Sequence, residues 1–539
     1  MKTIIKSLLA AAVATPLLTG CIEETFPTSS ITQGQLEASP EAVAAAVWGM
    51  PGSMISLGMS YDTQHYQFGY PAVMHALDCM TDDMAVNYAN GYNWFASWCE
   101  SSRSLGKDYA VCQFVWNTFY DQVLACNKAI GALDPDTEDA TERFYYGTAL
   151  AYRAYVYLEA AQCYETLPTA INAGVSPEGK EILGLTIPIV TEKTTEEECR
   201  NNPRATHEQM VEFIESDLIK AFEYLEGTSS PSKLLPDLAV AYGIAARLYL
   251  WDAQYDKASE YAQLCISTSG ATPLTKDEWL STTEGFNNSD VSSWLFALQL
   301  EPENSAVRTS IINWTSFCSN EADFGYAGAG AMTSIGAAYY ERMSDQDFRK
   351  LSYIAPESST LASKVPVINK EWADQYMSEY NSIKIRPGSG QQYEYETAAS
   401  VGIPLMRVEE MYFIDAECKA HSNPEAGAQA LTDFMRKYRY GTFQMYAEDE
   451  EEVMDEIIFQ KRMEFWGEGR NFYDVKRLNI SCTRAYSGSN FDPSSDSFNT
   501  EGRAQWMNFV ITDQEVQNNK ALVGMNNISP ANIYSPVKF

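Results

Sequence analysis

Histidine is scarce in this chain, with four residues in 539, and no two of them form an H-E-x-x-H pair. That absence argues against a zinc hydrolase. The eleven cysteines include no C-x-x-C, which argues equally against zinc ribbons and thioredoxin-type chemistry. G-x-S-x-G is missing, and the S-x-x-K tetrads, Ser104 to Lys107 and Ser230 to Lys233 among them, lack the S-D-N and K-T-G partners of an activated serine. Gly325, Gly328 and Gly330 lack the order and the lysine of a nucleotide loop, while Asp134, Asp136 and Asp139 lack the glycine and terminal glutamate of a calcium loop. Basic residues are few: 38 Lys and Arg against 72 Asp and Glu give a net charge of −34. Nucleic acid is therefore an unsuitable partner, because phosphate neutralisation needs clustered cations, and polybasic attachment to anionic lipid fails for the same reason. No apolar run is long enough to span a bilayer. No cofactor and no metal is expected.

The chain is rich in rings, with 33 Tyr, 23 Phe and 11 Trp, in a globular composition that is 45% apolar and 20% charged. Neutral or cationic partners with flat apolar faces suit such a surface.

Lys2 and Lys6 precede an apolar stretch at residues 7–18, too short for a membrane span and laid out like a secretory leader. It ends in Leu18-Thr19-Gly20-Cys21, the pattern at which bacterial lipoproteins are cleaved and acylated on the cysteine. Residues 1–20 are then a signal peptide, and Cys21 the lipid attachment site on a polar tether over residues 21–40. Loss of Lys2 and Lys6 takes the charge to about −36. Multiple acyl chains at roughly 0.8 kcal/mol per buried methylene would hold the protein to a membrane. The other ten cysteines have no paired spacing; disulfides and buried free thiols both fit.

Helical periodicity dominates the first half of the body, residues 41–539. Apolar residues recur every three or four positions over 111–130, 144–164, 206–225, 236–251 and 255–266, with Gly243, Ala246, Ala258 and Ala262 placed where helices would cross. Irregular tetratricopeptide-like hairpins are the expectation for residues 41–270. Residues 271–400 turn to Ser, Asn, Gly and aromatics with short extended runs such as Trp294 to Leu298, a loop-rich insert. Helices return at 404–420, 424–438 and 452–466 within a segment from 401 to 480, and residues 481–539 read as a tail of loops.

Two groups of aromatics sit among Asn, Asp and Gly, where neither a buried helix nor a strand is expected. One holds Tyr88, Tyr92, Asn93, Trp94, Phe95 and Trp98; the other holds Asn313, Trp314, Phe317, Asn320, Asp323, Phe324 and Tyr326. A ring can stack on the apolar face of a sugar while an amide bonds its hydroxyls. The residues assigned to ligand binding are Tyr92, Asn93, Trp94, Trp98, Asn313, Trp314, Phe317 and Tyr326. No catalytic residue is assigned. Asp82 and Asp83, beside the first group, are the one carboxylate pair that a glycosidase reading would test. Glu464 and Glu468 lie instead among Arg462 and Arg470 at a helix end, which suits an ion-pair lattice with Gly467 and Gly469 permitting a tight turn.

Several stretches, taken in order, resemble the SusD/RagB family of outer-membrane nutrient-binding lipoproteins of Bacteroidota. They are Trp116, Tyr120 and Asn127 with Ile130; Arg153-Ala154 with Tyr157-Leu158; Arg204 and Thr206 with Asp217-Leu218; Arg247-Leu248-Tyr249 with Tyr255; Arg407 and Glu409 with Arg436 and Arg439; and Lys461 to Glu464 followed by Glu468, Arg470 and Asp474 to Leu478. The resemblance implies a mainly helical SusD-like fold and a ligand platform where the loop after the first helices meets the insert. It further implies a non-enzymatic, lipid-anchored protein of the outer-membrane surface that captures glycan and delivers it to a SusC-like TonB-dependent transporter. A peptide ligand, as in RagB-type relatives, and a pure scaffold remain alternatives.

Overall fold

The computed structural model describes residues 40–58, 64–86, 94–95, 105–445, 449–494, 496–531, 533–535 and 537. Its longer helices are α1 (Pro40–Met54), α2 (Tyr70–Cys79), α3 (Ala110–Gly131), α4 (Ala140–Tyr164), α5 (His207–Leu225), α6 (Leu238–Trp251), α7 (Tyr255–Ser269), α8 (Val408–Ser422), α9 (Pro424–Tyr438), α10 (Glu450–Glu464) and α11 (Asn471–Arg477). Neighbours in sequence pair in space: α3 with α4, α4 with α5, α6 with α7 and α8 with α9, while α7 against α8 joins the first half to the last. The mainly helical architecture expected from the periodicity is therefore the one observed.

Local sequence explains where these helices start. Thr206 caps α5, accepting from the Gln209 amide while Gln209 reaches back, so two otherwise unpaired donors are satisfied together. Asp139, Asp237, Asn423 and Asp449 cap α4, α6, α9 and α10 through side-chain oxygens. The acid run at the start of α10 places Glu450, Glu451 and Glu452 in its first turn, where the helix dipole favours them. Gly243 lets α6 approach closely, since a Cβ there would strike the Met406 thioether.

Among the described residues four short strands tie the halves together: β1 (Met84–Val86), β2 (Trp294–Gln299), β3 (Thr333–Ile335) and β4 (Gly402–Arg407). β1 pairs antiparallel with β3, Met84 opposite Ile335, and β2 pairs with β4, Leu298 opposite Ile403. The helix expected at 404–420 is corrected here: residues 404–407 are strand, and α8 starts at Val408. All six residues of β4 are buried, so the apolar run carries no alternation that would reveal a strand.

Ion pairs fasten the last helices. Glu464 receives Arg439 at 2.5 and 2.7 Å and Arg349 at 2.9 Å, and Glu468 receives Arg407 at 2.8 Å and Lys384 at 2.6 Å, all of them buried. Burial pushes the Glu464 carboxyl up, but Arg439, Arg407 and Arg349 together hold it well below the usual carboxylate range. The lattice expected at this helix end exists with more distant partners. Arg462 is committed to Asp82 and Asp83, and Arg470 to Glu159. Gly467 and Gly469 adopt φ of 77° and 71°, the left-handed turn their sequence position required.

The described cysteines are buried, except Cys199. The described part of the tail from residue 481 is mostly loop, with a short α-helix at Asp513–Asn518 and 3-10 turns at Gln505–Met507 and Lys520–Leu522, and it buries Trp506 and Phe509 against the helical body.

Candidate functional site: an aromatic cluster

The β1–β3 pair brings parts of the two aromatic groups together. Trp94 and Phe95 follow β1 in sequence, and Phe317 and Tyr326 precede β3, so the pairing draws these four rings to one place. Phe95 lies 4.8 Å from Phe317, and the Trp94 indole N–H donates to the Tyr326 hydroxyl at 2.5 Å. Phe317 stacks on Tyr326 at 4.3 Å and 15°, and on its other side meets Phe68 at 5.5 Å and 13°.

The cluster has a buried floor and a partly open top. Asn313, Trp314, Phe317 and Tyr326 are 0, 2, 2 and 4% exposed. Buried to this extent, Trp314, Phe317 and Tyr326 present no open stacking face and Asn313 no open amide. Asn313 spends its side-chain oxygen capping the short helix Trp314–Cys318 through the Ser316 amide at 2.9 Å, and the Trp314 indole is sunk in the core. Their spacing among polar residues concealed this, because the Asn residues serve local turns: Asn320 bridges β3 and residue 382 by donating to the carbonyls of Thr333 and Ser382. Tyr92, Asn93 and Trp98, with Tyr88 and Cys21, lie outside the described residues.

Trp94 and His65 form the half-buried top. The His65 ring lies 5.4 Å from Trp94 and 5.8 Å from Tyr326, and its Nδ1 is hydrogen-bonded to the Tyr326 hydroxyl. Burial lowers the His65 pKa, so the ring is neutral at pH 7. Sequence reading noted His65 only as one of four histidines; a lone histidine carries no spacing signal. Nor did it single out Tyr376, Tyr393 and Tyr395, which join Phe324 in a rim of the insert. Half-buried Phe324 and Tyr395 face one another at 6.5 Å, Tyr393 and Tyr376 are each 54% exposed, and Asn369 caps the helix Lys370–Tyr376 beside them.

Catalytic carboxylates are not formed here. Asp82 and Asp83 are buried; Arg462 contacts both, Thr81 and Asn471 hold Asp83, and Tyr339 donates to Asp82 at 3.0 Å. Paired carboxylates enclosed in this way and tied to one guanidinium lack the open space that a substrate bond would need between them.

Comparison with known proteins agrees with this architecture. Residues 61–250 match a family model described as "Starch-binding associating with outer membrane", and residues 332–538 match that of the SusD family. The chain belongs to the SusD family. A SusD-like carbohydrate-binding protein from Bacteroides vulgatus ATCC 8482 superposes with a TM-score of 0.70 at 20% identity, over 92% of this chain and 99% of that one. A SusD superfamily protein from Bacteroides thetaiotaomicron VPI-5482 gives 0.67 at 19%, over 90% and 99%. Surface glycan-binding protein A from Bacteroides thetaiotaomicron, solved with laminarihexaose, gives 0.62 at 17%, over 90% and 99%. At these identities the likeness to each SusD structure is one of fold. No curated protein matches the chain.

Proposed function

We propose that this SusD-family protein is a non-enzymatic glycan-binding lipoprotein of the outer-membrane surface, which captures oligosaccharide or polysaccharide for a SusC-like TonB-dependent transporter. The observation that carries the reading is the Trp94 ring, half-buried, anchored through its N–H to the Tyr326 hydroxyl and flanked by the rings of His65 and Tyr66. A ring held in that way offers a sugar face a rigid apolar surface at little entropic cost. Phe324, Tyr395 and Tyr393 would lengthen the platform along the insert. Membership of the family and the glycan-bound relative support the ligand class. The lipobox at Cys21 supports the anchor.

Affinity electrophoresis of the chain from residue 22 onward against starch, laminarin, xylan and mannan, with assay of new reducing ends, tests the function. Retardation by one glycan without cleavage is the expected result. Cleavage would make the protein an enzyme, and binding of peptides alone would reassign it to the RagB-type alternative. Cys21→Ala should release the protein from membranes, and its retention there in high salt would refute the anchor.

A further inference from the structure

The Tyr326 hydroxyl joins two groups of different capacity. The Trp94 Nε1–H can only donate, and its bond to the phenol oxygen at 2.5 Å occupies one lone pair. His65 Nδ1 meets the same oxygen. A neutral imidazole has one bare nitrogen and one N–H, and the bond made by one nitrogen fixes the role of the other. The arrangement in which each group passes its proton onward runs Trp94 N–H to Tyr326 O, then Tyr326 O–H to His65 Nδ1, a chain whose bonds polarise one another. His65 must then carry its proton on Nε2. Among the described residues Nε2 has no acceptor, and the ring is half-buried beside the Trp94 indole rather than enclosed.

From this geometry we propose that His65 is a ligand-binding residue, holding a fixed Nε2–H donor toward a hydroxyl or ring oxygen of a neutral glycan seated on Trp94. The proposal rests on the glycan reading of the same site. Its chemical content is specific. Trp94 supplies a face and no free polar atom, since its N–H is already used, so among the described residues the His65 ring, 5.4 Å away, offers a polar complement for a sugar's oxygen. Ring stacking alone tolerates many sugars, whereas a donor at a fixed position selects for an acceptor at one position on the ring. Tyr326 acts through both neighbours as the positioning residue: it anchors the indole and sets the histidine tautomer.

Two measurements test this. Long-range proton–nitrogen correlation spectra of the unliganded chain from residue 22 onward, with the His65 signals assigned by their loss in His65→Phe, should show the Nε2–H tautomer; an Nδ1–H tautomer or a cationic ring at pH 7 overturns the proposal. Binding to starch, laminarin, xylan and mannan is then compared for the native chain, Trp94→Ala and His65→Phe, which keeps a ring against Trp94 but removes the donor. The expected result is a loss of about tenfold in affinity for His65→Phe with an unchanged thermal midpoint. Loss of binding in Trp94→Ala with none in His65→Phe overturns the role of His65 while leaving the glycan site standing. No loss in either variant refutes the site itself, and so does absence of binding to every glycan; the role of His65 falls with it. If His65→Phe does not fold, the tautomer in the native chain and the affinity of His65→Gln decide.

Discussion

Two tryptophans that look alike in sequence, each beside asparagine, have opposite surroundings. Trp94 is half-buried, whereas Trp314 is 2% exposed within the core. Truncating Trp314 to alanine removes a large buried ring and should cost about 3 to 5 kcal/mol of stability. Trp94→Ala should weaken glycan binding with a much smaller loss. Denaturant unfolding of both variants beside a binding assay checks the pair, and a stable Trp314→Ala that fails to bind glycan would return Trp314 to the platform. His207 gives a residue-scale prediction in pH. Its nitrogens meet Glu165 at 2.8 Å and Asp252 at 3.0 Å; burial opposes its charge, but the two carboxylates raise its pKa above 6.5. A raised folded-state value means stability fully present below pH 6.5 and lost as pH rises through that higher value. His207→Gln should therefore destabilise the protein more at pH 6 than at pH 9, and an equal loss at both would show that the imidazole is not charged there.

At the scale of elements, what was legible in sequence depended on how far away the partner lies. Helices α3 to α7 and α9 declare themselves through their own apolar spacing, α4, α5, α6 and α9 also through their Asp, Thr and Asn caps, and their observed bounds fall within a few residues of the expected ones. β4 did not, because its partner β2 lies about a hundred residues earlier and burial of both faces erases the alternation. For the same reason the meeting of Trp94 and Phe95 with Phe317 and Tyr326 could be expected only from family resemblance: the β1–β3 pairing that accompanies it is a contact across some 250 residues. Glu464 and Glu468 were readable as structural from the arginines beside them, but the identity of those partners was not. Glu464→Gln leaves Arg349, Arg407 and Arg439 with an uncompensated buried charge, and such a break costs about 3 to 5 kcal/mol. Because the folded-state pKa of Glu464 is depressed, its contribution is present above about pH 4.5 and is lost as pH falls toward the folded-state value. The difference between Glu464→Gln and the native chain should thus be full at pH 7 and shrink as pH falls below 4.5, measured by denaturant midpoints.

Over the whole molecule the excess of acid limits what the aromatic platform can hold. With a net charge of −34, a uronic or sulfated polysaccharide approaches against a repulsive field, while a neutral glycan feels none. The inward carboxylates Glu464, Glu468, Asp82 and Asp83 are already matched by arginine and lysine, so they add little to that field; the uncompensated charge is on the surface. Surface fields are screened by salt, with a Debye length of about 10 Å at 0.1 M and about 3 Å at 1 M, whereas ring stacking and hydrogen bonds to neutral hydroxyls are not. Affinity for a neutral glycan should therefore stay constant between low and high sodium chloride, and an anionic polysaccharide such as pectate should fail to bind at low salt. Binding that strengthens steeply as salt is removed would require a cationic ligand, and retention of pectate at low salt would mean a basic surface that outweighs the excess of acid.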